Sequence, residues 1–342
     1  MPQIDETTLK KHIKNKMFEK VYFIYGDESF LKQHYVNELA KQIVTGAEDF
    51  NLVRFNGKGL KIDALSDAVI QLPFMSEKRC VIVNDFDAEN ANANELEKLK
   101  ELLSDLPDAT VLIFWQDIVP FSYKKPGKLK TAITLINKNG ATAEFPRKDD
   151  VSLAKIIIKS ASKRGCTIDN AIARYMVSVC GNDLQNLQTE LDKLCSYKMN
   201  AAITKEDIDF MVTKSVEART FDFSKAILSR DADRAFKLLD ELFYMRIEPV
   251  VILSAVISNY VDVCRAKAAI SAGLRAEQVA KDFGYRGTEF RLRNGAVIAS
   301  RMSENQIKAC LDELEKADRM LKSSPVDNRV TLEQMTVNLL KI

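Results

Sequence analysis

The sequence predicts a parallel α/β domain followed by two all-helical domains. Three observations carry that prediction. The first 146 residues alternate short runs rich in Val, Ile, Phe and Tyr with segments of helical spacing. Several of those runs are apolar throughout, which suits strands covered on both faces. After Pro146 the strand pattern stops and only helical periodicity continues. The expected boundaries are 1–146 for the α/β domain, 147–213 for a small helical bundle and 214–342 for a larger one.

The strand candidates are 21–25, 52–55, 79–83, 110–115 and 142–145. Between them, 28–43, 61–71 and 94–103 read as helices. Ile62, Leu65 and Val69 share one face of the second. Leu96, Leu99 and Leu103 line the third, behind an Asn-x-x-Glu start at Asn94. Beyond Pro146 come helices at 150–163, 169–179, 183–197 and 205–212. Gly165 and Gly181 punctuate two joins, and Thr204 with Asp207 caps the last helix. Glu248-Pro249 opens a long helix with Val250, Leu253, Ile257, Val261 and Cys264 on one face, proline being suited to a first turn. Ser303 with Gln306 forms a capping box ahead of Ile307, Leu311, Leu314 and Leu321. Thr331 with Gln334 begins a closing helix.

Composition narrows the function. Apolar residues make up 46% of the 342 and charged residues 29%, a globular balance. A formal charge of +2 does not describe a globally basic nucleic-acid binder. DNA contact therefore falls to a local patch, and Lys124, Lys125, Lys128 and Lys130 form one, read as a basic loop. The six cysteines are scattered, with no CxxC pair, and read as reduced, buried small hydrophobes of a cytosolic protein. The two histidines, His12 and His34, have no metal-spaced partner and read as surface residues. The charged N-terminus has no apolar stretch and is not expected to be a signal peptide. The longest apolar run, 250–257, falls short of the roughly 20 residues of a membrane span. A cytoplasmic chain without membrane contact is expected.

The first strand runs into Gly26-Asp27-Glu28-Ser29, the place of a phosphate-binding loop. Gly26 is there, but the motif's lysine and hydroxyl read as absent. Asp27 and Glu28 would repel a triphosphate, and suit the first turn of the following helix. The third strand ends in Asn84-Asp85-Phe86. Asp85 stands where a magnesium-binding acid would, and Phe86 takes the place of the residue that activates water. Gly127-Lys128 lacks the motif's upstream glycine and reads as loop. No Ser/His/Asp, Cys/His or paired-carboxylate set stands out. The expectation is a nucleotide-fold domain without catalytic residues or cofactor, and hence a binding role.

One loop departs from pattern. Gln71-Leu72-Pro73-Phe74-Met75-Ser76-Glu77-Lys78 sets three large apolar side chains around a proline where a polar turn is expected. Two readings stand open: Phe74 and Met75 tuck under the sheet as core, or they are held out for a partner.

The run from Val21 through Gly26-Asp27-Glu28-Ser29-Phe30-Leu31 resembles the opening of the delta subunits of bacterial clamp loaders. Pro73-Phe74-Met75-Ser76-Glu77-Lys78-Arg79 before Val81-Ile82-Val83 is similar to their second signature. Phe221-Asp222 leading into Lys225-Ala226-Ile227, and Ala317-Asp318-Arg319-Met320-Leu321-Lys322, match in character. The resemblance runs in order over nearly the whole chain. It implies an AAA+-like α/β domain, a helical lid and a C-terminal helical collar. It implies a subunit without ATPase activity that binds the β sliding clamp and favours its open ring. The implied partners are ATP-binding subunits (tau or gamma) and delta-prime in a hetero-pentamer, with primer-template DNA inside the complex. The family's clamp contact is a hydrophobic pair, often Leu-Phe. Phe74 carries over directly; Pro73 stands in the leucine's place, and that role falls to Leu72 or Met75. Ser323-Ser324-Pro325 departs from the family's Thr-Gly at a collar turn. The alternatives are an active ATPase, a delta-prime-like chain, and a DNA-binding or scaffold subunit of another AAA+ assembly. The missing lysine, the unclustered cysteines and the delta-like motifs respectively weigh against them.

Overall fold

The computed structural model describes residues 3–119, 127–280, 282–285, 290–323 and 326–342. The chain forms two compact units, Met1–Lys148 and Asp149–Ile342.

The first unit is built on six parallel strands: β1 (Gln3–Ile4), β2 (Val21–Tyr25), β3 (Leu52–Asn56), β4 (Arg79–Asn84), β5 (Thr110–Trp115) and β6 (Ala141–Glu144). Their order across the sheet is β1-β6-β2-β5-β4-β3. The helices are α1 (Glu6–Asn15), α2 (Ser29–Ile43), α3 (Glu48–Asn51), α4 (Ile62–Ile70), α5 (Ala93–Ser104) and α6 (Lys128–Asn139). β2 and β5 are buried along their whole length, as their unbroken apolar runs require. Phe23, Val81, Val83, Leu112 and Phe114 pack on one face against Leu65 and Val69 of α4, Leu99 and Leu103 of α5, and Ile133 and Ile136 of α6. Buried Leu31, Tyr35, Val36 and Leu39 of α2 belong to the same unit.

Four local expectations are corrected here. α5 starts at Ala93 behind Asn92, whose side chain accepts from the Glu95 N–H; the Asn-x-x-Glu pattern is real but two residues earlier than Asn94. Glu28 is the N-cap of α2 and Asp27 precedes it, so neither lies in the first helical turn. Gly127-Lys128 is not loop: Gly127 caps α6 and Lys128 begins it. His12 is half-buried with Nδ1 3.0 Å from the Tyr22 hydroxyl, while His34 is exposed.

The second unit holds α7 (Asp150–Lys163), α8 (Asn170–Cys180), α9 (Leu184–Lys198), α10 (Lys205–Met211), α11 (Val216–Leu228), α12 (Ala232–Tyr244), α13 (Pro249–Ser271), α14 (Phe290–Ala299), α15 (Glu304–Ser323) and α16 (Asn328–Lys341). Asp149, Asp169, Asp183, Thr204, Ser215, Asp231 and Asp327 each cap a helix with a side-chain oxygen. Each such cap is worth about 1 kcal/mol. Thr204 and Asp207 form the full capping box, as do Ser303 and Gln306. α16 begins at Asn328, three residues before the expected Thr331.

α13 has Pro249 in its first turn, but its buried face is carried by Ile252, Leu253, Val256, Tyr260, Val263 and Ala266. Val250, expected on that face, is exposed. At 23 residues α13 is also long and apolar enough to cross a membrane by composition, contrary to the expectation that no segment is. One side of it is buried in the unit, against Phe223 and Ile227 of α11, Cys310 and Leu314 of α15, and Leu292 of α14, while Val250, Val251 and Ile270 remain exposed. All six cysteines are free, and all but the half-buried Cys264 are buried.

Candidate functional site

The turn after β2 is the first place to look for chemistry, because the carboxyl ends of parallel strands are where nucleotides bind. The turn is closed against its own sheet. Gly26 has φ +119°, and a Cβ there would meet the Phe145 carbonyl oxygen at 2.3 Å. The Glu28 N–H, which in a phosphate cradle would face the ligand, donates to that oxygen at 3.0 Å. Lys32 is the sixth residue after Gly26, the spacing of the phosphate-loop lysine. The reading that the motif's lysine is absent is therefore corrected: the lysine is in place, and it is the glycine before it that Leu31 replaces. The side chain is 2% exposed and points inward. Its Nζ donates to the Gln116 carbonyl oxygen at 2.6 Å and lies 3.8 Å from Asp117 Oδ1. Burial pushes its pKa below the ordinary 10.5, against the pull of Asp117, Asp85, Asp27 and Glu28.

Asp85 is similarly engaged. Its Oδ1 accepts from the backbone N–H groups of Asp117, Ile118 and Val119 at 2.7, 3.0 and 3.1 Å. The acid in the magnesium-binding position therefore caps the turn leaving β5. Phe86 is buried against Phe114. Among the described residues no cluster of three His, Cys, Asp or Glu side chains could hold a metal.

The loop between α4 and β4 lies at the opposite end of the sheet. Leu72 is 82% exposed, Phe74 54% and Met75 80%, which excludes the reading that they fill the core. Pro73 is half-buried between them. The backbone beneath is firmly held. The Phe74 N–H donates to Asn51 Oδ1 at 2.8 Å, and Asn51 Nδ2 donates to the Phe74 carbonyl oxygen at 2.6 Å. Arg79 ties the flanks, donating to the Phe50 carbonyl oxygen at 2.6 Å and to Gln71 Oε1 at 2.8 Å. The rings of Phe50 and Phe74 sit 5.3 Å apart at 53°. Phe50, itself 63% exposed, and Asn51 carry no signal of this role in the sequence. The arrangement is an exposed apolar cluster on a fixed backbone, which suits docking and no bond-making step.

Of the basic candidates, Lys124 and Lys125 lie outside the described residues, and Lys130 lies in α6. Lys128 is exposed, and its ammonium donates to the Ala91 carbonyl oxygen at 2.8 Å and the Glu89 carbonyl oxygen at 3.3 Å. In the second unit, α11, α13, α14, α15 and α16 line an open cleft of about 640 Å³. Phe221, Tyr260 and Cys310 line it together with Lys225, Arg230 and Arg301.

Comparison with known proteins gives a consistent picture. Residues 22–139 match the family model of the delta subunit of DNA polymerase III, and residues 217–339 match the model of that subunit's C-terminal domain. The DNA polymerase III subunit delta of Bacillus subtilis (strain 168) is 23% identical over 343 residues, covering 97% of this chain and 96% of the relative. The probable DNA polymerase III subunit delta of Aquifex aeolicus (strain VF5) is 22% identical over 252 residues, covering 71% and 69%. The solved Bacillus subtilis DNA clamp loader delta protein shares the fold with a TM-score of 0.61 at 21% identity, covering 98% of this chain and 99% of that one.

Proposed function

The chain belongs to the DNA polymerase III delta-subunit family, and from that premise we propose that it binds the β sliding clamp through the loop carrying Leu72, Pro73, Phe74 and Met75 and favours the open ring. The observation that carries this reading is Phe74, a half-exposed aromatic whose main chain is held at both its N–H and its carbonyl oxygen. Burying such a ring in a partner's pocket is worth roughly 1.5–3 kcal/mol. A backbone fixed in advance loses little entropy on docking. Binding alone opens nothing: the subunit must hold the open clamp more tightly than the closed one, since equal affinity shifts no equilibrium.

The turn after β2 supports a subunit without catalysis of its own, because its phosphate cradle is filled by Phe145 and its lysine is spent internally. Residues 147–213 would act as lid and 214–342 as the collar that joins the ATP-binding tau or gamma subunits and delta-prime. The basic set Lys124, Lys125, Lys128 and Lys130 would meet primer-template DNA within the assembled, cytoplasmic complex. The test is direct. Phe74→Ala should weaken binding to a monomeric clamp variant by at least about tenfold, with the melting temperature nearly unchanged. A large loss of stability with intact per-molecule clamp affinity would overturn the assignment.

A further inference from the structure

The loop is not a self-contained recognition element. α3 reaches it from 23 residues away in sequence. We infer that α3 supplies the second half of the docking surface, Asn51 fixing the pose of Phe74 and Phe50 presenting the aromatic face beside it; this rests on the clamp-binding reading above.

Asn51 is fully buried and makes four hydrogen bonds with one amide. One Nδ2 hydrogen serves the Phe74 carbonyl oxygen at 2.6 Å, the other is shared between the carbonyl oxygens of Gly46 and Ala47 at 2.8 and 3.1 Å, and Oδ1 accepts from the Phe74 N–H at 2.8 Å. Three acceptors around the nitrogen and one donor at the oxygen leave the amide a single orientation. The reciprocal pair with Phe74 imitates a rung of a β-ladder, so a side chain does what a strand neighbour would do. No other residue type does this at the same length: aspartate lacks the donors and glutamine is one methylene longer. The register of the sheet brings the two segments together. β3 and β4 are parallel with Leu52 opposite Cys80, so the residues entering each strand share one edge.

Phe50 is the residue before Asn51, and its ring leans on that of Phe74. Two exposed aromatic rings from separate segments, on backbones tied to each other through Arg79, form one continuous surface. A partner that accepts Phe74 meets Phe50 in the same contact. Asn51 touches no partner; it is a positioning residue and acts through Phe74.

The experiment is a double-mutant cycle on the full chain, with affinity for the purified β sliding clamp and melting both measured. Asn51→Ala should weaken binding at least about tenfold when Phe74 is present, and less than about twofold in the Phe74→Ala background. Asn51→Asp, which keeps the shape and the acceptor but removes the donors, should behave the same way and stands in if the alanine variant does not fold. Phe50→Ala should weaken binding more than about threefold with unchanged melting. If Asn51 variants weaken both backgrounds equally, or Phe50→Ala binds like the wild type while Phe74→Ala does not, the inference fails and the clamp reading stands. If Phe74→Ala itself binds normally, the clamp reading fails.

Discussion

The buried ammonium of Lys32 donates to the main-chain carbonyl oxygen of Gln116 at 2.6 Å. The cation that a phosphate loop would aim at nucleotide is thereby turned onto the end of β5, beside Asp117 and in the field of Asp85, Asp27 and Glu28. Two outcomes follow for a melting experiment. Magnesium-ATP should leave the melting temperature of the purified chain unchanged, whereas binding at 100 times Kd would add about 2.7 kcal/mol. Lys32→Ala should destabilise the first unit by about 1–3 kcal/mol, since it leaves the buried Gln116 carbonyl oxygen unpaired and half-buried Asp117 without its cation. Stabilisation of the wild type by magnesium-ATP would refute the non-nucleotide assignment.

Glu6 sets an acid limit on the same unit. Burial opposes its ionisation, but hydrogen bonds from Lys10, Lys148 and Tyr35 outweigh that and hold its pKa at about 2 against an ordinary 4.5. A depressed carboxylate stabilises the fold fully above its unfolded value, and that contribution is lost as pH falls through the folded one. The wild type should therefore lose on the order of 2–3 kcal/mol between pH 4.5 and about 2 that Glu6→Gln does not lose. Parallel acid titrations of urea stability for the two proteins measure it. Identical slopes would remove Glu6 from the account.

How much of the fold is legible in the sequence depends on local signal. β2 and β5 are readable to the residue because unbroken apolar runs have one explanation in an α/β pattern. β1, at two residues, is shorter than any period, and α1 buries only Leu9. α6 hides behind Gly127 and a basic first turn, which runs against the helix dipole; Ile133 and Ile136 at i,i+3 are the available signal. On α13 apolar residues surround the axis, so periodicity does not choose the buried face. The exposed loop between α4 and β4 is legible as an anomaly of apolar residues in a turn. Asn51 and Phe50 are not, because their pairing with Phe74 exists only once β3 and β4 are in register. Lys32 escapes for a different reason: without the glycine before it the motif is incomplete, and a lone lysine at the right spacing carries meaning only once the turn around Gly26 is formed.

Gly46 should be sensitive for the sake of the loop. A Cβ at this position would meet the Met75 carbonyl oxygen at 2.5 Å, and backbone cannot yield as a flexible side chain does. Gly46→Ala must push apart the two segments that Asn51 joins. The expected result is a destabilisation of about 1–3 kcal/mol, with faster proteolytic cleavage between Gln71 and Lys78 and weaker clamp binding. Wild-type cleavage rates would show that the segments separate without consequence.

Leu72 and Met75 compete for the role of the family's leucine, and their backbones separate them. Both side chains are exposed. Leu72 precedes Pro73, which confines it to extended geometry and points it consistently. Met75 sits at φ +49°, a region costly for a residue with a side chain, and its long unbranched chain loses more rotamer freedom on docking. A leucine on a backbone already restricted gives more net affinity in a contact than a methionine that must first be ordered. Leu72→Ala should weaken clamp binding about fivefold and Met75→Ala less than about twofold. Met75→Gly should raise stability by about 0.5–1 kcal/mol by relieving the left-handed backbone, with little change in affinity. Titration of all three variants against the clamp, with melting curves alongside, decides the matter. A larger loss for Met75→Ala than for Leu72→Ala would move the leucine's role to Met75 and make the strained backbone part of the docking geometry.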